Sequence, residues 1–188
     1  MTIKIDHIYL KQLDKVLDDT LKCGATDVMV AGGAIRDMLL GKPISDIDVF
    51  YQGELDDNKI KQYFKVKDKI LADDKKEYNE YYKEENTWQV YADSIGHEAV
   101  EYPVQLIIVK NENPLVEHIK TFGCNISKVL YNGNLCMSEQ FLEDLWLEQL
   151  TFTEDLRTGN YKTKLINKFS DWSVVDASEF SDPQPSFF

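Results

Sequence analysis

The stretch Val30–Phe50, VAGGAIRDMLLGKPISDIDVF, decides the reading of this chain. It begins at the end of a short β run, turns at Gly32-Gly33, and continues as a helix over Ala34 to Leu40 that stops at Gly41. Pro43 fixes the loop that follows. Ser45 to Tyr51 alternates polar and apolar, so Ile47 and Val49 face one way on a strand and Asp46 and Asp48 the other. A strand, a glycine turn and a helix start present backbone N–H groups and a helix dipole to an anion. Glycine lets that anion approach closely. The alternation sets the two aspartates about 6.5 Å apart along the strand, a spacing at which both can reach one or two divalent ions. Magnesium is the expected cation, because it takes carboxylates together with triphosphate oxygens. Each feature alone has a plain structural use, as a tight turn or as solvated acids on a strand edge. Together in one short segment they point to nucleoside triphosphate chemistry.

Working outward, residues 7–22 place Ile8, Leu10, Leu13, Val16, Leu17 and Leu21 at helical spacing, and Gly24 ends that helix. Residues 26–31 are a β run. Residues 55–76 read as a second, exposed helix with Ile60, Tyr63, Phe64, Ile70 and Leu71 inward and lysines outward. Strands are predicted over 88–92, 104–109 and 126–131, a turn over 94–98, a short helix over 113–121 and another helix over 139–148. VQLIIV, at 104–109, is the most apolar strand and belongs at the centre of the sheet. The fold class is α+β: a small mixed, mainly antiparallel sheet with helices packed on one face. One domain over 1–170 and an acidic tail over 171–188 account for the chain.

Composition narrows the partners. A net charge of −12 provides no broad basic face for long nucleic acid, although a small site with magnesium can still hold a triphosphate. Cys23, Cys124 and Cys136 are odd in number and widely spaced, which suits reduced thiols in a cytoplasmic protein. The N-terminus has no apolar run long enough for a signal peptide or a membrane helix, so no membrane partner is expected. His7, His97 and His118 lack metal-ligand spacing and are expected to be surface or structural, with His97 as a loop residue that could overhang the site. Trp88, Trp146 and Trp172 are expected to anchor the core. Tyr78, Tyr81 and Tyr82 stand among glutamates and suit a partner contact rather than RNA.

The same stretch resembles the head domain of the tRNA CCA-adding enzyme and bacterial poly(A) polymerase family, within the DNA polymerase beta-like nucleotidyltransferase superfamily. That family's Gly-Gly-x-x-Arg-Asp, Leu-Gly and Asp-x-Asp are met by Gly32, Gly33, Arg36, Asp37, Leu40, Gly41, Asp46 and Asp48. The resemblance implies that Asp46 and Asp48 are catalytic and bind magnesium. It implies that Gly32 and Gly33 hold the triphosphate while Arg36 and Asp37 organise the site; Lys42 completes the expected nucleotide-binding set. A weaker likeness continues to about residue 152 through Ile126, Tyr131, Asn132, Asp144 and Leu145.

Three departures bear on activity. The family's Arg-Asp is replaced by Phe122-Gly123, the best position for a third carboxylate is Gln105, and the stretch that resembles the family is a head alone. The expected activity is transfer of a nucleoside monophosphate from an NTP to a hydroxyl on an RNA 3′ end, a protein or a small molecule, releasing pyrophosphate. The alternative is a catalytically reduced relative that binds or regulates. A homodimer or a protein partner is one arrangement that would complete a lone head.

Overall fold

The computed structural model describes residues 3–66, 87–110, 113–153 and 159–176. The chain begins with α1 (His7–Lys22), whose first turn is capped by the Asp6 carboxylate accepting from the Ile8 and Tyr9 N–H groups at 2.9 and 3.0 Å. Tyr9, Leu13, Val16 and Leu17 form its buried stripe. Next come β1 (Ala25–Ala31), α2 (Gly33–Leu40), β2 (Ile47–Gly53), α3 (Asp57–Tyr63) and β3 (Phe64–Val66). After them follow β4 (Thr87–His97), β5 (Val100–Val109) and two 3-10 helices, Leu115–Thr121 and Asn125–Ser127. The last elements are β6 (Val129–Tyr131), β7 (Leu135–Met137), α4 (Glu139–Leu147), β8 (Gln149–Phe152), α5 (Gly159–Lys168) and β9 (Ser173–Asp176).

Seven strands form one sheet in the order β3-β4-β5-β2-β1-β6-β7. Among the described residues of this sheet, β2 and β5 pair in parallel and the other pairs are antiparallel. The protein is therefore α+β with a mixed, mainly antiparallel sheet, and VQLIIV lies in an inner strand as its apolarity requires. Strand alternation divides the core in two. Val28, Val30, Ile47, Val49, Tyr51, Val104 and Leu106 face a large cluster that also holds the buried side chains of α1 to α5. Met29, Ala31, Phe50, Ile107, Val109 and Leu130 face the other way, under Leu115, Ile119 and Phe122. Each fully buried Leu or Ile stabilises by about 1.5–3 kcal/mol, so a charge at Val49, with nothing exposed, would break the first cluster. The α-helices thus share one face, and a short 3-10 segment covers part of the other.

Several expected boundaries move. The helix expected over 55–76 stops at Tyr63, because Phe64 turns extended and pairs with His97; residues 67–76 lie outside the described residues, as do Tyr78, Tyr81 and Tyr82. The turn expected over 94–98 is strand as far as His97, where Ile95 pairs with Val104 and is buried. Ile126 and Ser127, expected to open the strand over 126–131, belong instead to a 3-10 turn, Asn125–Ser127, closed by the Ser127 and Lys128 N–H groups donating to the Cys124 and Asn125 carbonyls at 3.0 and 2.9 Å. The helix expected over 113–121 is likewise 3-10. In the region expected as tail, Ser173–Asp176 pairs in parallel with β8, and the Trp172 ring packs on Phe169 at 4.9 Å. Trp146, expected in the core, is 87% exposed on α4. No helix among the described residues is long and apolar enough to cross a membrane.

Candidate active site

The antiparallel register of β1 and β2 fixes the geometry. Val30 pairs with Val49, so the glycine turn that ends β1 comes level with the start of β2. Gly32 has φ +75°, a conformation few L side chains adopt, which explains the glycine there. Its own N–H donates to the Val129 carbonyl at 2.9 Å, and its carbonyl accepts the Arg36 N–H at 3.0 Å. Gly32 therefore shapes the turn, and the N–H groups suited to an anion are those of the first turn of α2, beginning with Gly33, which lack acceptors inside the helix.

Asp46 lies one residue before β2 and Asp48 on it; both are half-buried, while Ile47 and Val49 between and after them have no exposure. The predicted alternation is therefore observed. Asp48 is the register partner of Gln105 on the parallel strand β5, and the Gln105 amide donates to Asp46 Oδ2 at 3.4 Å. The position singled out for a third carboxylate is thus beside the pair, and it holds a neutral amide. Among the described residues no three His, Cys, Asp or Glu side chains come together. Magnesium fits this donor set nonetheless, since it commonly takes one or two protein carboxylates with substrate oxygens and water, and the Gln105 carbonyl oxygen is a further hard ligand.

Arg36, Asp37 and Lys42 form a second group. Arg36 Nε donates to Asp37 Oδ1 at 2.8 Å and its terminal nitrogen to Ser127 Oγ at 3.1 Å. Lys168 Nζ reaches Asp37 Oδ2 at 2.5 Å, and the Ser127 hydroxyl meets the Tyr161 hydroxyl at 2.7 Å. The Arg36 and Asp37 side chains are 5% and 3% exposed. Burial works against the Arg36 charge, but Tyr161 and Asp37 outweigh it and hold its pKa above the ordinary value. Burial raises the Tyr161 pKa as well. Phe169 lies beneath the Arg36 guanidinium and the Lys42 ammonium, 5.6 and 5.4 Å from the ring centre. The structure gathers these cations against the C-terminal helix and the residue that follows it. Ser127, Tyr161, Lys168 and Phe169 were not legible as members of the group. Ser127 and Lys168 lie 91 and 131 residues from the partners they bind.

Other polar residues are structural. The Asp144 carboxylate accepts from the Thr151 N–H, the Thr151 hydroxyl and the Gln149 amide at 2.8, 2.7 and 3.1 Å, which ties α4 to β8. His97 is buried, accepts the Ala99 N–H on Nδ1 and meets Asp19 Oδ2 through Nε2, so it does not overhang the site. Burial lowers its pKa despite Asp19. His118 is buried between the Phe50 and Phe122 rings, and burial brings its pKa down to about 4. The three cysteines are free thiols.

Comparison with solved structures gives the fold. The chain is similar to a CCA-adding enzyme in complex with CTP, at 17% identity over 94% of this chain and 41% of that one, with TM-score 0.54. The Thermotoga maritima CCA-adding enzyme complexed with tRNA matches at 16% identity, 94% and 41% coverage and TM-score 0.51. The Bacillus stearothermophilus CCA-adding enzyme with CTP matches at 13%, 91% and 42%, with TM-score 0.50. The chain thus has the fold of a nucleotidyltransferase head domain and spans about two fifths of those enzymes. Nothing among the curated proteins matches it. A family model, Gabija anti-defense 2 family protein, matches residues 5–147. That match covers most of the chain, the glycine turn and both aspartates included, and the protein belongs to the Gabija anti-defense 2 family.

Proposed function

We propose that this protein is a metal-dependent nucleotidyltransferase that moves a nucleoside monophosphate from an NTP to a hydroxyl acceptor. The observation that supports it most is the placement of Asp46 and Asp48 on one sheet face, beside the glycine turn that opens α2. In this reading the first-turn N–H groups of α2 hold the triphosphate, and Gly32 keeps the turn narrow enough for them to reach it. Asp46 and Asp48 would hold magnesium, with the Gln105 amide fixing the Asp46 carboxylate. Bound there, magnesium would align the α-phosphate, offset the charge that develops on it and lower the pKa of the attacking hydroxyl. The acceptor oxygen forms a bond to the α-phosphorus as the bond to the β-phosphate oxygen breaks. Pyrophosphate leaves with that electron pair, and the hydroxyl proton passes to a carboxylate or to water. Arg36 and Asp37 act from below, setting the direction of α2 rather than touching phosphate.

Membership in a family named for countering the Gabija defence makes a protein or nucleic-acid hydroxyl of that defence the first acceptor to try. A second reading, a nucleotide-binding or regulatory protein without transfer, draws on Phe122-Gly123, neutral where the resembled family has Arg-Asp, and on Gln105, neutral where the wider superfamily has a third carboxylate. α-Labelled ATP, CTP, GTP and UTP offered with defence components, total RNA and small alcohols separate the two. Transfer that needs magnesium and disappears in Asp48→Asn is expected. Nucleotide binding without transfer to any acceptor class would favour the second reading.

A further inference from the structure

The glycine turn accounts for the phosphates and the aspartates for the metal, which leaves the nucleoside half of the substrate without a contact. The ring of Phe122 adjoins the turn and packs on the strand that carries Asp48. A Cβ placed on Gly32 would stand 3.3 Å from Phe122 Cε2, so the ring closes directly over the turn. It packs on Phe50 at 5.5 Å between ring centres, and Phe50 follows Asp48 by two residues on the same face of β2. His118 packs against the same ring at 5.7 Å with the two ring planes nearly perpendicular. Phe122 itself is only partly buried, unlike Phe50 at 1% exposure. A fixed aromatic ring with exposed area at this place offers a π-face, which every nucleobase can use whatever its hydrogen-bonding edge.

We propose that Phe122 is the platform on which the base of the bound nucleotide stacks, so that this site takes purine nucleotides in preference to pyrimidine ones and recognises no base edge through it. The inference rests on the nucleotide-site reading above. Stacking area is larger for a purine, which sets the direction of the preference, and the contact is independent of the phosphate contacts at the helix start.

Titration of the full chain with magnesium, comparing a non-hydrolysable ATP analogue, the CTP analogue and inorganic tripolyphosphate, tests it. The ATP analogue is expected to bind about 10-fold tighter than tripolyphosphate and several-fold tighter than the CTP analogue. Phe122→Leu keeps an apolar side chain over Leu115 and Ile119 but removes the π-face. It should weaken the ATP analogue about 10-fold and leave tripolyphosphate within twofold, while Phe122→Tyr and Phe122→Trp retain wild-type binding. Equal weakening of both ligands in Phe122→Leu would show that the ring only supports the turn and would overturn the platform, as would no weakening of either. Should Phe122→Leu fail to fold, the wild-type comparison decides: an ATP analogue bound no better than tripolyphosphate overturns the platform and leaves the anion site standing. Binding of none of the three overturns the nucleotide-site reading and the platform with it.

Discussion

The two charged groups in this fold are built from the same short segment and treated in opposite ways. Arg36 and Asp37 lie on the helix side of the sheet, closed off, with opposite charges paired and Lys168 and Ser127 completing them. Asp46 and Asp48 lie on the other face, half-buried, two residues apart in sequence and with a neutral amide beside them. Burying an ion pair is tolerable only when its hydrogen bonds are satisfied, and those of the first group are. Two carboxylates held near one another disfavour each other's charge, and a cation between them relieves that cost. The first arrangement suits a fold that must fix the direction of a helix. The second suits a site that holds a cation.

The largest predicted effect breaks the buried side of the comparison. Asp37→Asn leaves the Arg36 and Lys168 cations facing a neutral amide, and should cost about 3–5 kcal/mol of stability, measured by urea unfolding. Next, stability should fall as pH falls through the window from 6.5 to about 4, because His118 sits well below its ordinary pKa. The unfolded chain takes up a proton there that the folded chain refuses, so the loss across the window should approach about 3 kcal/mol. His118→Leu should flatten that slope relative to wild type, and an unchanged slope would remove His118 as its cause. Asp48→Asn comes third, with transfer falling at least 10²-fold, or about 2.7 kcal/mol. Its melting temperature should be unchanged or slightly higher, since a repulsion is relieved. A large loss of stability in Asp48→Asn would place it with the buried group instead. Smallest is Gly32→Ala, where the left-handed backbone and the 3.3 Å approach to Phe122 should together cost about 1–2 kcal/mol in thermal unfolding.

Where local pattern governs structure, the sequence was readable. Period-two alternation placed Asp46 and Asp48 opposite Ile47 and Val49, and helical spacing placed Leu13, Val16 and Leu17 inward. Apolarity put Val104–Val109 inside the sheet. The Gln105 position came from the resemblance, in which a neighbouring strand carries a third carboxylate, and the parallel register sets it beside Asp48. What escaped depended on distant closure. Nothing near Phe64 announces that it leaves a helix to pair with His97, and Ser127 belongs to a 3-10 turn whose hydroxyl serves Arg36. The packing of the Lys42 ammonium over Phe169, a residue contributed just after the last α-helix, was equally hidden. Trp146 misled because size argues for burial on average, whereas its helix buries Phe141 instead.

The central claim is that the Asp46–Asp48 face and the α2 turn form one magnesium–nucleotide site. Thermal unfolding of wild type and Asp48→Asn, each with magnesium and a non-hydrolysable NTP analogue, tests it most directly, because no acceptor is needed. A ligand held by the native state at a hundred times its Kd should raise the wild-type melting temperature by about 5–10 °C, with less than half that rise in Asp48→Asn and none for either component alone. An equal rise in both proteins, or no rise in wild type at millimolar nucleotide, would contradict the claim.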